Sequence, residues 1–234
     1  MHFCVLVLSN DNGLSVNELL DPYCDCNTYA PHIEFTKQEA IDYVRQHPHY
    51  AYLKNKTDEE CWKFMAEGRI IDKKGNIYTT DNPNAHWDWW VEGGRWDGLL
   101  RLKESGDRVN SARIGDIDFS LDDDEYKKAL RFWDIIVDHK PLYDGEKQPF
   151  NIYKEDYYRK FYGDRETYAK RQAIFSTFAV VTSNGIWIEK ASKGWFNTSS
   201  ETPESRAEWE ENFIKNFIED ESPDTNVTIV DCHI

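Results

Sequence analysis

The sequence predicts an α+β protein whose antiparallel, ferredoxin-like sheet places the first and last strands side by side. Short apolar runs open and close the chain, and helical patterns and hairpin signals lie between them. The 234 residues can bury a sizeable core. We therefore expect a single domain over residues 1–234, with a helical insertion at about residues 121–172.

The elements of the N-terminal third each have a sequence signal. Residues 2–8 are apolar and rich in β-formers, and turn residues end this run, which indicates a strand. Ser15 is the expected N-cap of a short helix. Thr36 and Glu39 match a capping box at the start of a second helix, and Asp58 is the expected cap of a third.

The remaining elements alternate between hairpins and helices. Residues 70–79 and 176–190 each place a glycine turn between apolar runs, which predicts two hairpins. Residues 122–139 and 202–220 show amphipathic helical spacing, and the Tyr-rich stretch 154–176 is also helical in pattern.

The closing run, residues 226–234, predicts a final strand. Antiparallel pairing with the first strand brings His2 near Cys232 and His233. Since Cys232 and His233 are neighbours on a strand, their side chains point to opposite faces and cannot form a nucleophile pair. We expect no metal site and no cofactor, although His2 and His233 are the candidates if a metal binds.

The formal charge of −15 argues against direct binding to nucleic acid or to anionic membranes. No apolar run is long enough for a transmembrane helix, and the first residues lack the pattern of a signal peptide. The five cysteines lack paired zinc spacing. These features favour a cytoplasmic protein with free thiols.

The most unusual segment covers residues 82–100 and contains four of the nine tryptophans. Read as a strand, it sends Trp87 and Trp89 to one face and Asp88 and Trp90 to the other. An acid between indoles needs a partner, and Arg95 is the natural one. One interpretation is therefore a core segment with an Asp88–Arg95 pair.

The other interpretation is a binding site. Adjacent glycines expose backbone N–H groups and permit close approach of a ligand, arginine offers a planar fork for phosphate or carboxylate, and indoles stack on bases. This combination favours a small anionic or nucleotide-like ligand, while no catalytic residue is identified. The predicted ligand-binding residues are Asn84, His86, Trp87, Asp88, Trp89, Trp90, Gly93, Gly94, Arg95 and Trp96.

Several motifs together resemble a family of uncharacterised proteins from phages, prophages and their bacterial hosts. They are the opening HFxVLV, the NPNAxWDWxxxGGRW segment, the stretch 107–118 ending in GDID, the hairpin after residue 176 and the ending VDCHI. This chain has His86 where others of the family carry lysine. The resemblance implies a phage setting, in which small proteins counter host defence by binding a signalling nucleotide or by blocking a defence protein.

Three functions remain open at this stage. The favoured one is a binder that sequesters a phosphorylated signal. The second is a hydrolase of such a ligand, with His86, Asp88 and His233 as acid–base candidates. The third is an acidic inhibitor of a nucleic-acid-binding host protein. The oligomeric state and the role of the insertion, as a lid or a dimer arm, are left open.

Overall fold

The computed structural model describes residues 1–191 and 201–234, and the chain divides into two compact units. The first unit contains residues 1–21 and 89–234, and the second contains residues 22–88. The predicted single domain over the whole chain therefore stays a prediction.

The strands of the described residues are short except at the two ends of the chain. They are β1 (His2–Ser9), β2 (His32–Phe35), β3 (Ile70–Ile71), β4 (Ile77–Thr79), β5 (Trp89–Glu92), β6 (Leu100–Arg101), β7 (Arg108–Val109), β8 (Ser111–Arg113), β9 (Ala179–Val181), β10 (Trp187–Glu189) and β11 (Asn226–His233).

The helices of the described residues begin mostly at the predicted caps. They are α1 (Val16–Leu20), α2 (Lys37–Gln46), α3 (Asp58–Ala66), α4 (Asp123–Ile136), α5 (Glu155–Tyr162), α6 (Arg165–Ala173) and α7 (Pro203–Phe217). Two details differ from the prediction. The N-cap of α3 is Thr57, which forms a capping box with Glu60, and not Asp58. The Tyr-rich stretch forms two helices because Gly163 turns the chain at a φ of 77° and Asp164 caps α6.

The first unit is built on a mixed sheet with the order β10-β9-β1-β11-β5, and β8 also pairs with β11. The first and last strands pair antiparallel, with His2 opposite His233 and Cys4 opposite Asp231. The prediction of a wholly antiparallel sheet is wrong, because β9 runs parallel to β1. A long crossover joins these two strands, and such a connection permits the parallel pairing that a tight hairpin forbids.

One face of this sheet and α7 enclose the core of the first unit. Leu6 and Leu8 of β1 alternate onto this face, Ile229 comes from β11, and Phe213 comes from α7. Each of these side chains is almost completely buried. The apolar side chains that alternate along the strands therefore pack against the apolar face of α7 and form a single layer.

The predicted helical insertion corresponds to α4, α5 and α6, which form their own cluster in the first unit. Asp122 caps α4 by accepting the N–H groups of Asp124 and Glu125. Trp133 of α4 and Tyr168 of α6 are buried against each other, with ring centroids 5.5 Å apart. The aromatic residues of this stretch are thus largely core residues.

The second unit has a three-stranded sheet in the order β2-β4-β3, and α2 and α3 share an apolar cluster with Ile77 of β4.

The cysteines of the chain correct one prediction. Cys24 and Cys26 form a disulfide, so the expectation of free thiols is wrong for this pair, whereas Cys4, Cys61 and Cys232 are buried and lie outside any disulfide. None of the helices in the described ranges combines the length and apolar character that a membrane crossing needs.

Candidate functional site

The tryptophan segment is divided, because the boundary between the two units falls after Asp88. In the second unit, Asn84 is exposed and its N–H donates to the side chain of Asn82 over 2.9 Å. His86 is half-buried and its N–H donates to the carbonyl of Tyr23 over 2.8 Å. Trp87 is buried, and Asp88 is exposed.

In the first unit, Trp89 lies beside the two histidines at the chain termini. Its ring stacks on His233 with centroids 5.4 Å apart, and His2 contacts it edge-on at 5.2 Å. Trp89 is 44% exposed. Trp90 is half-buried and alternates to the other face of β5, opposite Cys232 in the register. These two indoles therefore do not form a common wall.

The glycine turn after β5 uses the N–H groups of Gly93 and Arg95 within the protein, and that of Gly93 donates to the carbonyl of Ile229 over 2.8 Å. The N–H of Arg95 donates to the carboxylate of Asp231 over 3.0 Å. A Cβ at Gly94 would lie 2.5 Å from the Cβ of Asp231, and one at Gly93 would lie 2.4 Å from the amide of Asn110. The two glycines are thus required because the buried Asp231 and the half-buried Asn110 approach this backbone closely, and the turn fixes the position of Arg95.

Asp231 connects this turn to the chain terminus. It is 2% exposed, and its Oδ1 lies 2.8 Å from the Nδ1 of His2. Burial, with the nearby Cys232 and Asp231, raises the pKa of the Cys4 thiol on the same sheet face, so Cys4 is not a nucleophile at neutral pH. Among the described residues there is no group of three or more acidic, His or Cys side chains that could hold a metal.

Arg95 and Trp96 line a cavity of about 480 Å³ in the first unit, which we call the Arg95 cavity. This volume is in the range of small-molecule sites. Trp96 is half-buried and packs against the core of the unit. The wall is completed by side chains from four further segments, among them Leu100, Arg101, Arg108, Ile117, Asp118, Ser120, Asp122, Glu125, Lys128, Gln172 and Phe175.

Most bases of this wall are paired with acids. Arg101 contacts Asp118 over 2.7 Å, and hydrogen bonds from Ser120 and Arg101 hold the pKa of Asp118 below its ordinary value. It therefore stays ionised at neutral pH, and the pair persists. Two further pairs join Arg108 to Asp122 and Lys128 to Glu125.

Arg95 differs from these bases. Its side chain is exposed, and within the described part of the first unit its guanidinium has no ion-pair partner. The predicted partner, Asp88, belongs to the second unit, so an Asp88–Arg95 pair stays a prediction. Asp97, the remaining acid of the wall, accepts a hydrogen bond from the amide of Asn110 over 2.8 Å.

Comparison of the chain with protein-family models, with curated proteins and with solved structures finds no match. The interpretation of the site therefore depends on its geometry alone. Of the residues predicted from the sequence, Arg95 and Trp96 line the cavity, whereas Asp231 and Asn110, which contact the glycine turn, were not predicted. A signal for Asp231 was present, because an acid in the apolar run that ends in VDCHI needs a polar partner when buried.

Proposed function

We propose that the protein binds a small anionic, nucleotide-like molecule in the Arg95 cavity. The guanidinium of Arg95 would take the phosphate or carboxylate, and the indole of Trp96 would contact the flat part of the ligand. The observation that carries the proposal is the contrast between Arg95 and the other bases of the wall, which are already paired with acids. Only Arg95 offers its charge to a ligand among the described side chains of this wall.

Hydrogen bonds fix the backbone at Arg95 before a ligand binds. Asp231 accepts its N–H, and the N–H of Trp96 donates to the carbonyl of Gly93 over 2.9 Å. A turn fixed in this way loses little conformational freedom when a ligand binds, and this supports affinity. The site proposed here is smaller than the one predicted from the sequence, because Trp89 lies with the terminal histidines.

The biological setting of the proposal comes from the resemblance to phage and bacterial proteins. In that setting the binder would act in the cytoplasm and sequester a phosphorylated signal of host defence. We also infer that the sheet is a variant of the ferredoxin-like sheet. The antiparallel pairing of β1 with β11 and the parallel pairing of β1 with β9 support this, while β9, and not β10, is the neighbour of β1.

The test is a titration with nucleoside monophosphates, cyclic mononucleotides and inorganic phosphate, followed by tryptophan fluorescence and calorimetry. We expect Arg95→Ala to weaken binding by about tenfold or more, since charge-assisted hydrogen bonds to a phosphate are lost. Arg113→Ala is the matched control, because Arg113 is an exposed arginine of the same unit that pairs with Asp11 and Asp224 outside the cavity. It should bind like the wild type.

The variant Asp88→Asn tests the competing core interpretation. If the carboxylate of Asp88 neutralises Arg95, the variant should bind the ligand more tightly than the wild type. If the guanidinium of Arg95 is already open to the ligand, the affinity of the variant should equal that of the wild type. Equal affinity of wild type and Arg95→Ala, or no binding by any compound of the panel, would contradict the proposal. Chemical change of the bound compound on long incubation would favour the hydrolase instead.

A further inference from the structure

The disulfide of the second unit joins two cysteines in different environments. Cys24 is 1% exposed, whereas Cys26, two residues further on, is exposed. A thiolate in solution can therefore approach Cys26 and not Cys24. Since exchange proceeds by attack of a thiolate on one disulfide sulfur, this difference determines which sulfur is attacked.

The loop that carries the disulfide is held by contacts that do not involve sulfur. The side-chain amide of Asn82, itself buried, donates to the carbonyls of Pro22 and Cys24 over 2.8 and 2.7 Å. The N–H of Asp25 donates to the carbonyl of Trp87 over 2.8 Å. Because these bonds remain when the sulfurs separate, the two cysteines stay close enough to re-form the disulfide.

Two features favour opening of this disulfide. The cysteines are separated by only two positions in the sequence, and a cross-link that closes so short a loop removes little entropy from the unfolded chain. The N–H of Cys26 donates to the sulfur of Cys24 over 3.2 Å. A hydrogen bond to sulfur stabilises the thiolate that Cys24 becomes when it leaves.

We propose that Cys24–Cys26 is a redox-active disulfide that exchanges with a dithiol, with Cys26 as the attacked sulfur. One thiolate of the dithiol forms a bond to the Sγ of Cys26, and the electron pair of the broken bond passes to the Sγ of Cys24. The second thiol of the dithiol, as its thiolate, then attacks its partner sulfur and releases Cys26. The dithiol becomes a disulfide, and its two electrons and two protons reduce both cysteines to thiols. Such a pair fits a cytosolic protein, in which disulfides are usually catalytic or redox-sensing.

The first experiment measures the reactivity of each cysteine separately in the full chain. Cys24→Ser leaves Cys26 alone, and Cys26→Ser leaves Cys24 alone. With a chromogenic aromatic disulfide under native conditions, we expect Cys24→Ser to react about tenfold or more faster than Cys26→Ser, because only its thiol is accessible. The double variant gives the background from Cys4, Cys61 and Cys232, which are buried.

The second experiment uses the wild type, so that it does not depend on the folding of a variant. The oxidised protein is treated with millimolar dithiothreitol, and the free thiols are alkylated and located by peptide mapping. We expect both cysteines to be reduced while the protein stays folded, and glutathione to be found on Cys26 when it replaces dithiothreitol. A disulfide that resists reduction until the protein unfolds, glutathione on Cys24, or equal reactivity of the two single variants would each overturn the proposal.

Discussion

The substitution Gly94→Ala tests whether the glycine turn belongs to the protein's own packing or is open to a ligand. Gly94 has a φ of 56°, and an added Cβ would lie 2.5 Å from the Cβ of Asp231 and 2.6 Å from its Oδ2. Asp231 cannot move away freely, because its two oxygens bind His2 and the N–H of Arg95. We therefore expect an overpacking cost in addition to backbone strain.

The chain offers a matched control in Gly106→Ala. Gly106 has a φ of 73° but no atom within 4 Å of an added Cβ, so the change costs backbone strain alone, about 1 kcal/mol. Gly94→Ala should cost about 1–3 kcal/mol more than this, the usual range for overpacking. The difference corresponds to a further fall in Tm of about 2–4 °C per kcal/mol.

The measurement is urea unfolding and thermal unfolding of both variants, followed by tryptophan fluorescence and near-UV circular dichroism. Equal stability of Gly94→Ala and Gly106→Ala would refute the reasoning, because it would mean that the space beside Gly94 is open. That result would favour the prediction from the sequence that a ligand binds at Gly93 and Gly94.

Two further predictions concern single side chains of the second unit. Asn82→Ala removes the donor to the carbonyls of Pro22 and Cys24, and it should lower the free energy of unfolding by about 1–3 kcal/mol in a urea titration; no loss would show that water replaces the amide. Hydrogen bonds from Thr57 and Lys56 lower the pKa of Glu60 to about 2 in the folded state, so its contribution to stability is present above its ordinary pKa of 4.5 and is lost as the pH falls towards 2. Between pH 4.5 and pH 2, the Tm of Glu60→Gln should therefore fall less steeply with decreasing pH than the Tm of the wild type. The same pH dependence of Tm in both proteins would contradict this.

The local structure of the chain follows closely from the sequence. The capping box of Thr36 and Glu39 and the hairpin turn at Gly185 are short-range patterns, and the structure confirms both. The first and last strands pair in the structure, and each is a short apolar run that needs a buried position in the sheet. These features depend on residues near one another or on a simple period.

The tertiary structure decided the rest. The sequence shows that Arg95 directly follows two glycines, but Asp231, which accepts the N–H of Arg95, lies 136 positions away in the chain. The Arg95 cavity likewise collects charges from separate segments, and only their distances show that Arg101 and Arg108 are paired. The physical reason is that a buried polar group takes whichever partner the fold brings within hydrogen-bond distance, and no local pattern records that partner.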